Sequence, residues 1–182
     1  MADSPAGLRT LVLGGARSGK SAHAEELAGA HGPVRYLATA VPDPADRDFA
    51  ERIAAHRARR PAAWEVLESA DPAAILAAPA DGAGSATLVD DIGTWLTARI
   101  DALDAWEAPR GTVAPEADAL VAAVERYRHR LVLVSPEVGL GVIPATRSGR
   151  LFRDEIGALN QRLARVCDEV VLVVAGIPMR VK

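Results

Sequence analysis

The sequence predicts a three-layer α/β fold, a mostly parallel sheet covered by helices on both faces. Three observations carry that prediction. Short runs rich in Val and Leu alternate along the chain with longer stretches of helical spacing, as in a sheet whose strands are joined by crossover helices. The runs are continuously apolar, as strands buried on both faces are. The first of them also stops at "GGARSGKS", a glycine-rich turn placed between a strand and a helix.

In chain order, "RTLVLG" reads as a strand ending at Gly14, and "KSAHAEELAGAH" as a helix closed by Gly32-Pro33, a stop signal. "VRYLAT" is a second strand. Residues 44–58 have helical spacing, with Phe49, Ala50 and Ile53 on one face, up to the breaker Pro61. "WEVLES" reads as a short strand, and "DPAAILAA" as a short helix with Asp71 as N-cap. "ATLVDD" follows the turn "DGAGS" as another apolar strand. Residues 92–103 and 115–129 are amphipathic helices, and residues 108–115 between them the expected flexible loop. Trp95 and Trp106 are expected to face the core. "RLVLVS" is a strand, residues 146–167 a long helix, and "EVVLVVAG" the last strand.

The chain of 182 residues is expected to form one domain, residues 1–182. It is 49% hydrophobic and 25% charged, with a net charge of −3. That balance excludes a nucleic-acid binder or a membrane-surface protein. No apolar stretch approaches the ~20 residues of a spanning helix, and "MADSPAG" lacks the pattern of a secretory signal. Cys167 is the one cysteine, which fits a reducing compartment. The expected location is cytoplasmic. Lys20 and Lys182 are the only lysines among 21 basic side chains, so one of two lysines stands in the one loop where a compact point charge suits phosphates.

"GGARSGKS" (Gly14, Gly15, Ala16, Arg17, Ser18, Gly19, Lys20 and Ser21) fits G-x-x-x-x-G-K-[ST] at every fixed position, in the required strand–loop–helix context. The glycines let backbone N–H groups converge on phosphate oxygens, and the helix N-terminus adds its positive end. Lys20 is expected on the β- and γ-phosphates of a nucleoside triphosphate, and the Ser21 hydroxyl on Mg²⁺. An acid at the end of another strand usually completes such a site. Asp90 is the candidate, while its neighbour Asp91 is available to cap the helix that begins at Ile92.

In residues 54–64, "AAHRARRPAAW", Arg57, Arg59 and Arg60 follow His56 closely. One reading is a solvated helix end with basic residues near its C-terminus. The other is a triphosphate-binding arginine cluster beside a nucleophile. A neutral imidazole attacks phosphorus well, and neighbouring positive charge favours that neutral form. His23, His31 and His129 show no metal-ligand spacing with Cys167, so no zinc site is expected.

These segments resemble the bifunctional adenosylcobinamide kinase / adenosylcobinamide-phosphate guanylyltransferase family of cobalamin biosynthesis. The resemblance runs from Leu11 to Lys182, through "GGARSGKS", "RIAAHRARRPAAW", "SPEVGLGVIP" and "FRDEIGALNQRLARVCDEVVLVVAGI". It implies a RecA-like P-loop NTPase fold and two reactions. The first phosphorylates the aminopropanol hydroxyl of adenosylcobinamide with ATP or GTP. The second transfers GMP from GTP to that phosphate through a guanylylated histidine, which the resemblance makes His56. It further implies nucleotide contacts by Ala38, Thr39, Ala40, Arg57, Ala58, Arg59, Arg60, Glu68 and Asp90, and a homotrimer. The chain departs from the family pattern at Pro136, Ala145 and Val66, away from the phosphate loop and His56.

A plain P-loop small-molecule kinase, a GTPase-type switch and a non-catalytic nucleotide-binding module are the rival readings. The N-K-x-D guanine motif of GTPases is absent, which weighs against the switch.

Overall fold

The computed structural model describes residues 9–30, 32–40, 61–68, 71–78 and 86–182. Seven strands form one sheet: β1 (Arg9–Gly14), β2 (Val34–Ala38), β3 (Glu65–Glu68), β4 (Ala86–Asp90), β5 (Leu131–Pro136), β6 (Glu169–Val174) and β7 (Ile177–Arg180). Five helices are described: α1 (Lys20–Gly29), α2 (Pro72–Ala77), α3 (Ile92–Ala102), α4 (Ala114–Arg126) and α5 (Arg147–Val166). The helix expected over residues 44–58 lies outside the described residues.

The sheet order is β3-β2-β4-β5-β1-β6-β7. Every pairing is parallel except that of β6 with β7. Side chains of a strand alternate between the two faces, and here both faces are apolar. Val12, Tyr36, Leu88, Val132, Val134 and Val173 pack with Ala24 and Ala28 of α1. Leu11, Leu37, Val89, Leu131, Leu133 and Val170 pack on the opposite face with α2, α3, α4 and α5. This double burial is why the strands read as unbroken Val/Leu runs. Trp95 lies in that second core, 2% exposed, and Trp106 packs against its margin.

Three expectations need correction. The helix expected over residues 115–129 ends at Arg126, because Tyr127 turns extended. Its ring is buried, and its hydroxyl shares a 2.8 Å hydrogen bond with that of Thr87. "EVVLVVAG" is also not the last strand. Ala175 and Gly176 both take positive φ, 51° and 80°, and form a two-residue hairpin turn with the twist that antiparallel strands favour. The chain then returns as β7, where Pro178 is tolerated because the strand is an edge. The loop expected over 108–115 is shortened to 108–113 by the start of α4 and is tied to α5: Arg110 pairs with Asp154 at 2.7 Å, and the Gly111 amide donates to Glu155.

Candidate functional site

The carboxyl ends of parallel strands are where open α/β sheets place their ligands, and those of the predicted residues that the structure describes lie there. Residues 14–21 leave β1, an interior strand, and run directly into α1. Gly14 has no room for a side chain: a Cβ would run into Ser18 Oγ and lie 2.9 Å from the Val173 carbonyl oxygen. Gly19 caps α1 with φ of 94°, in the left-handed region that favours glycine. Arg17 also has positive φ, 57°, and is exposed with Ala16 at the loop tip. Inside the loop the Ser18 amide donates to the Gly15 carbonyl at 3.3 Å, and the Lys20 amide to Ser18 Oγ at 3.3 Å. Lys20 Nζ turns back over the loop to the Gly15 carbonyl oxygen, 3.4 Å away. A cation is thus folded over the concave backbone that would cradle a phosphate.

The adjacent acids take different partners. Asp90 continues the 86, 88 series that faces α1, and its Oδ1 accepts from Ser21 Oγ at 3.2 Å. Asp91 points the other way and caps α3, accepting from the Thr94 amide at 2.7 Å. Burial pushes the Asp91 carboxyl above its ordinary range, and the charge of Asp90 adds to the effect. The Thr94 amide and Lys20 oppose it.

Ala38 stands between Glu68 and Asp90 in the sheet register, so these three positions form a row along the carboxyl edge. Glu68 is exposed. Thr39 is 2% exposed, and its hydroxyl is directed at the start of α3, with the Asp91 carbonyl and Thr94 Oγ1 each 2.6 Å away. Ala40 follows it, half-buried. His56, Arg57, Ala58, Arg59 and Arg60 lie outside the described residues. Among the departures from the family pattern, Pro136 ends β5 beside Gly14, and the next amide, that of Glu137, donates to the Gly14 carbonyl at 3.0 Å. Ala145 accepts through its carbonyl from Arg150 at 2.7 Å, and Val66 lies opposite Tyr36 on β3.

Two supporting residues escaped the sequence reading. Asn160, on the buried face of α5, accepts from Ser135 Oγ at 2.5 Å and donates to the Pro136 carbonyl at 3.0 Å. It thereby fixes the end of β5 next to the phosphate loop. Its signal was an amide among Leu151, Ile156, Leu159 and Leu163, the apolar positions of the helix. Tyr36, 1% exposed, donates its phenol proton to Asp90 Oδ2 at 2.6 Å. Its signal was a hydroxyl inside an apolar strand, which burial makes costly unless it is paired.

A hydroxyl and a carboxylate oxygen 3.2 Å apart, at the foot of a phosphate loop, are the hard donors that Mg²⁺ favours. Among the described residues no cluster of three or more His, Cys, Asp or Glu side chains could hold a metal by itself. A cation here would therefore draw further ligands from phosphates and water, as Mg²⁺ commonly does. No helix among the described residues is long and apolar enough to cross a membrane.

Comparison with known proteins places the sequence in a family. The family model described as cobinamide kinase / cobinamide phosphate guanyltransferase matches residues 10–181. The bifunctional adenosylcobalamin biosynthesis protein CobP of Pseudomonas aeruginosa is 43% identical over 179 residues, covering 96% of this chain and 98% of that protein. The bifunctional adenosylcobalamin biosynthesis protein CobU of Salmonella typhimurium is 40% identical, covering 94% and 98%. Its counterpart in Escherichia coli is 37% identical over the same shares. With residues 10–181 matched by the family model and relatives 37–43% identical along almost the whole chain, the chain belongs to the cobinamide kinase / cobinamide phosphate guanyltransferase family.

Proposed function

We propose that this chain works as one domain that catalyses two successive transfers. It phosphorylates the aminopropanol hydroxyl of adenosylcobinamide, then moves GMP from GTP onto the new phosphate, giving adenosylcobinamide-GDP. The observation that carries this reading is the loop Gly14–Ser21 closed against Asp90, in a chain similar along almost its whole length to bifunctional enzymes.

In the kinase step, the loop amides and Lys20 hold the β- and γ-phosphates of ATP or GTP while the substrate hydroxyl approaches in line. The γ-phosphoryl group leaves the nucleotide, the hydroxyl oxygen takes it, and the hydroxyl proton is released. Such transfers depend chiefly on positioning and on neutralising phosphate charge. Ser21 and Asp90 would hold Mg²⁺, which when bound supplies positive charge to the phosphate oxygens. Ala38, Thr39, Ala40, Glu68 and residues 57–60 are assigned to the nucleotide. At Thr39 the hydroxyl is engaged at α3, which favours its backbone for that contact.

In the guanylyl step, neutral His56 attacks the α-phosphorus of GTP. A nitrogen–phosphorus bond forms and pyrophosphate departs. The phosphate of the cobinamide then displaces the histidine and takes the GMP. The working protein is a homotrimer in the cytoplasm.

Incubation with Mg²⁺ and α-labelled GTP, followed by denaturation, tests the covalent step. Acid-labile, base-stable label on the wild type and none on His56→Ala is the expected result. Absence of label on the wild type would leave a plain kinase.

A further inference from the structure

Resting on the reading of Asp90 as the acid of a metal–nucleotide site, we infer that Tyr36 is a positioning residue for that site: its phenol holds one Asp90 oxygen so that the other faces Ser21. A carboxylate can rotate about its last bond, and an aspartate whose carboxylate plane is not held presents no fixed ligand. Here each oxygen has its own donor. Oδ2 takes the Tyr36 hydroxyl at 2.6 Å, within the short range of hydrogen bonds to an ionised acceptor, and Oδ1 takes Ser21 Oγ at 3.2 Å. The looser bond is on the side where a cation would enter. The tighter bond is on the side away from it.

The phenol is itself held. Tyr36 is 1% exposed, and its ring stacks on Trp64 with centroids 6.2 Å apart and planes 28° from parallel. Trp64 in turn reaches α1, because a Cβ on Gly29 would lie 3.3 Å from its ring. The Tyr36 ring belongs to the same packed cluster as Ala24 and Ala28. The helix that carries Ser21 at its first turn therefore also supports the ring that aims Asp90. Sheet register does the rest: Ala38 pairs with Asp90 and Tyr36 with Leu88, so the long phenol spans one diagonal step on the same face, a reach open to an aromatic side chain and closed to a short one. Phenylalanine would fill this space equally well, so packing alone does not explain the hydroxyl.

Groups that hold a metal's ligands typically change metal affinity by about 10- to 100-fold when removed. The test is Tyr36→Phe, which keeps the ring and removes one oxygen, with Mn²⁺ as the probe. Mn²⁺ binding in the presence of GTP is followed by electron paramagnetic resonance, and GTP binding is measured separately in chelator. The expected result is Mn²⁺ affinity weakened about tenfold with metal-free GTP affinity unchanged. Unchanged Mn²⁺ affinity, or an equal loss in both titrations, would overturn the positioning role. Asp90→Asn in parallel separates the two levels. If it leaves Mn²⁺ affinity intact, the metal reading of Asp90 fails and Tyr36 falls with it. If it weakens Mn²⁺ while Tyr36→Phe does not, only the inference about Tyr36 fails. Trp64→Leu keeps the phenol but frees its ring, so a smaller loss of Mn²⁺ affinity is expected there, and no loss would count against the mechanism.

Discussion

Cys167 and Lys20 show how opposite microenvironments shape single reactive groups. Cys167 caps the end of α5 and is 1% exposed. Burial first, with some help from Asp168, pushes its thiol up to about 12, against the opposing pull of Arg9 and Lys182. Since the thiolate is the reactive form, iodoacetamide at pH 8 should leave the native protein largely unmodified and label it promptly in denaturant. Rapid native labelling, read by intact mass, would contradict the packing described. Lys20 instead lies half-buried over an open loop, its ammonium free to move from the Gly15 carbonyl to a phosphate. The importance of Lys20 was legible from the sequence, because the motif fixes its neighbours through backbone conformation. The sequence also separated the two acids, offering Asp90 to the metal–nucleotide site and Asp91 to the helix, and Asp91 does cap α3. Which acid faces the loop depends on strand parity relative to α1, a fact of the sheet. Tyr36 and Asn160 were not read at all, since each acts through a partner far away in the chain.

Helix α5 shows what a segment supplies and what it borrows. Its buried residues, Leu151, Ile156, Leu159, Asn160 and Leu163, form a stripe that the sequence displays openly. Its N-terminus is capped by Thr146, whose Oγ1 accepts from the Gly149 amide at 3.1 Å. Its far end is closed by a distant residue, Lys182, whose ammonium reaches the carbonyls of Ala164 and Cys167 at 3.0 and 2.6 Å. A cation there also complements the negative end of the helix. Arg162 adds a pair with Asp118 of α4. Thr146→Ala should cost about 1 kcal/mol of stability in urea unfolding, the usual worth of such a cap, with no change in the slope of the transition. A loss below experimental error would mean the cap is replaced by water. The Thr146 end was readable from local sequence. Strand β7 was not, because an Ala-Gly turn lacks the asparagine or aspartate that usually announces a two-residue hairpin, and Pro178 argues against a strand until its edge position is known.

At the scale of the whole molecule, one ion pair joins the start of β1 to the turn that leads into β6. Arg9 donates from Nε and Nη2 to the two Asp168 oxygens, both at 3.0 Å, and its backbone amide donates to Oδ2 at 2.9 Å. These bonds hold the Asp168 carboxyl below the ordinary carboxylate range. A depressed carboxylate contributes stability above its unfolded pKa, and that contribution disappears as pH falls through the lower folded value. Asp168 is partly exposed, so the pair is worth little more than a good surface bridge. Asp168→Asn should lower stability at pH 7 by about 0.5–1 kcal/mol, and the gap from wild type should close in acid, as read by thermal unfolding across pH. A gap that persists unchanged in acid would assign the effect to shape instead of charge. The same bond pattern explains why fold class was readable and strand order was not: composition marks a strand as buried on two faces, but only contacts spanning most of the chain decide its neighbours.

One further contact has a consequence in time. The Gly176 amide, in the turn between β6 and β7, donates to the Ser18 carbonyl at 2.8 Å. That amide can exchange its proton with solvent only when the hairpin and the phosphate loop part. Its exchange rate is therefore a clock on the opening of the loop, read from a residue that lies outside the loop itself. Saturating nucleotide should slow deuterium uptake at Gly176 in step with the loop amides of residues 15–20. Protection of the loop without protection at Gly176 would show that the two move independently, and that the hairpin is a bystander to binding.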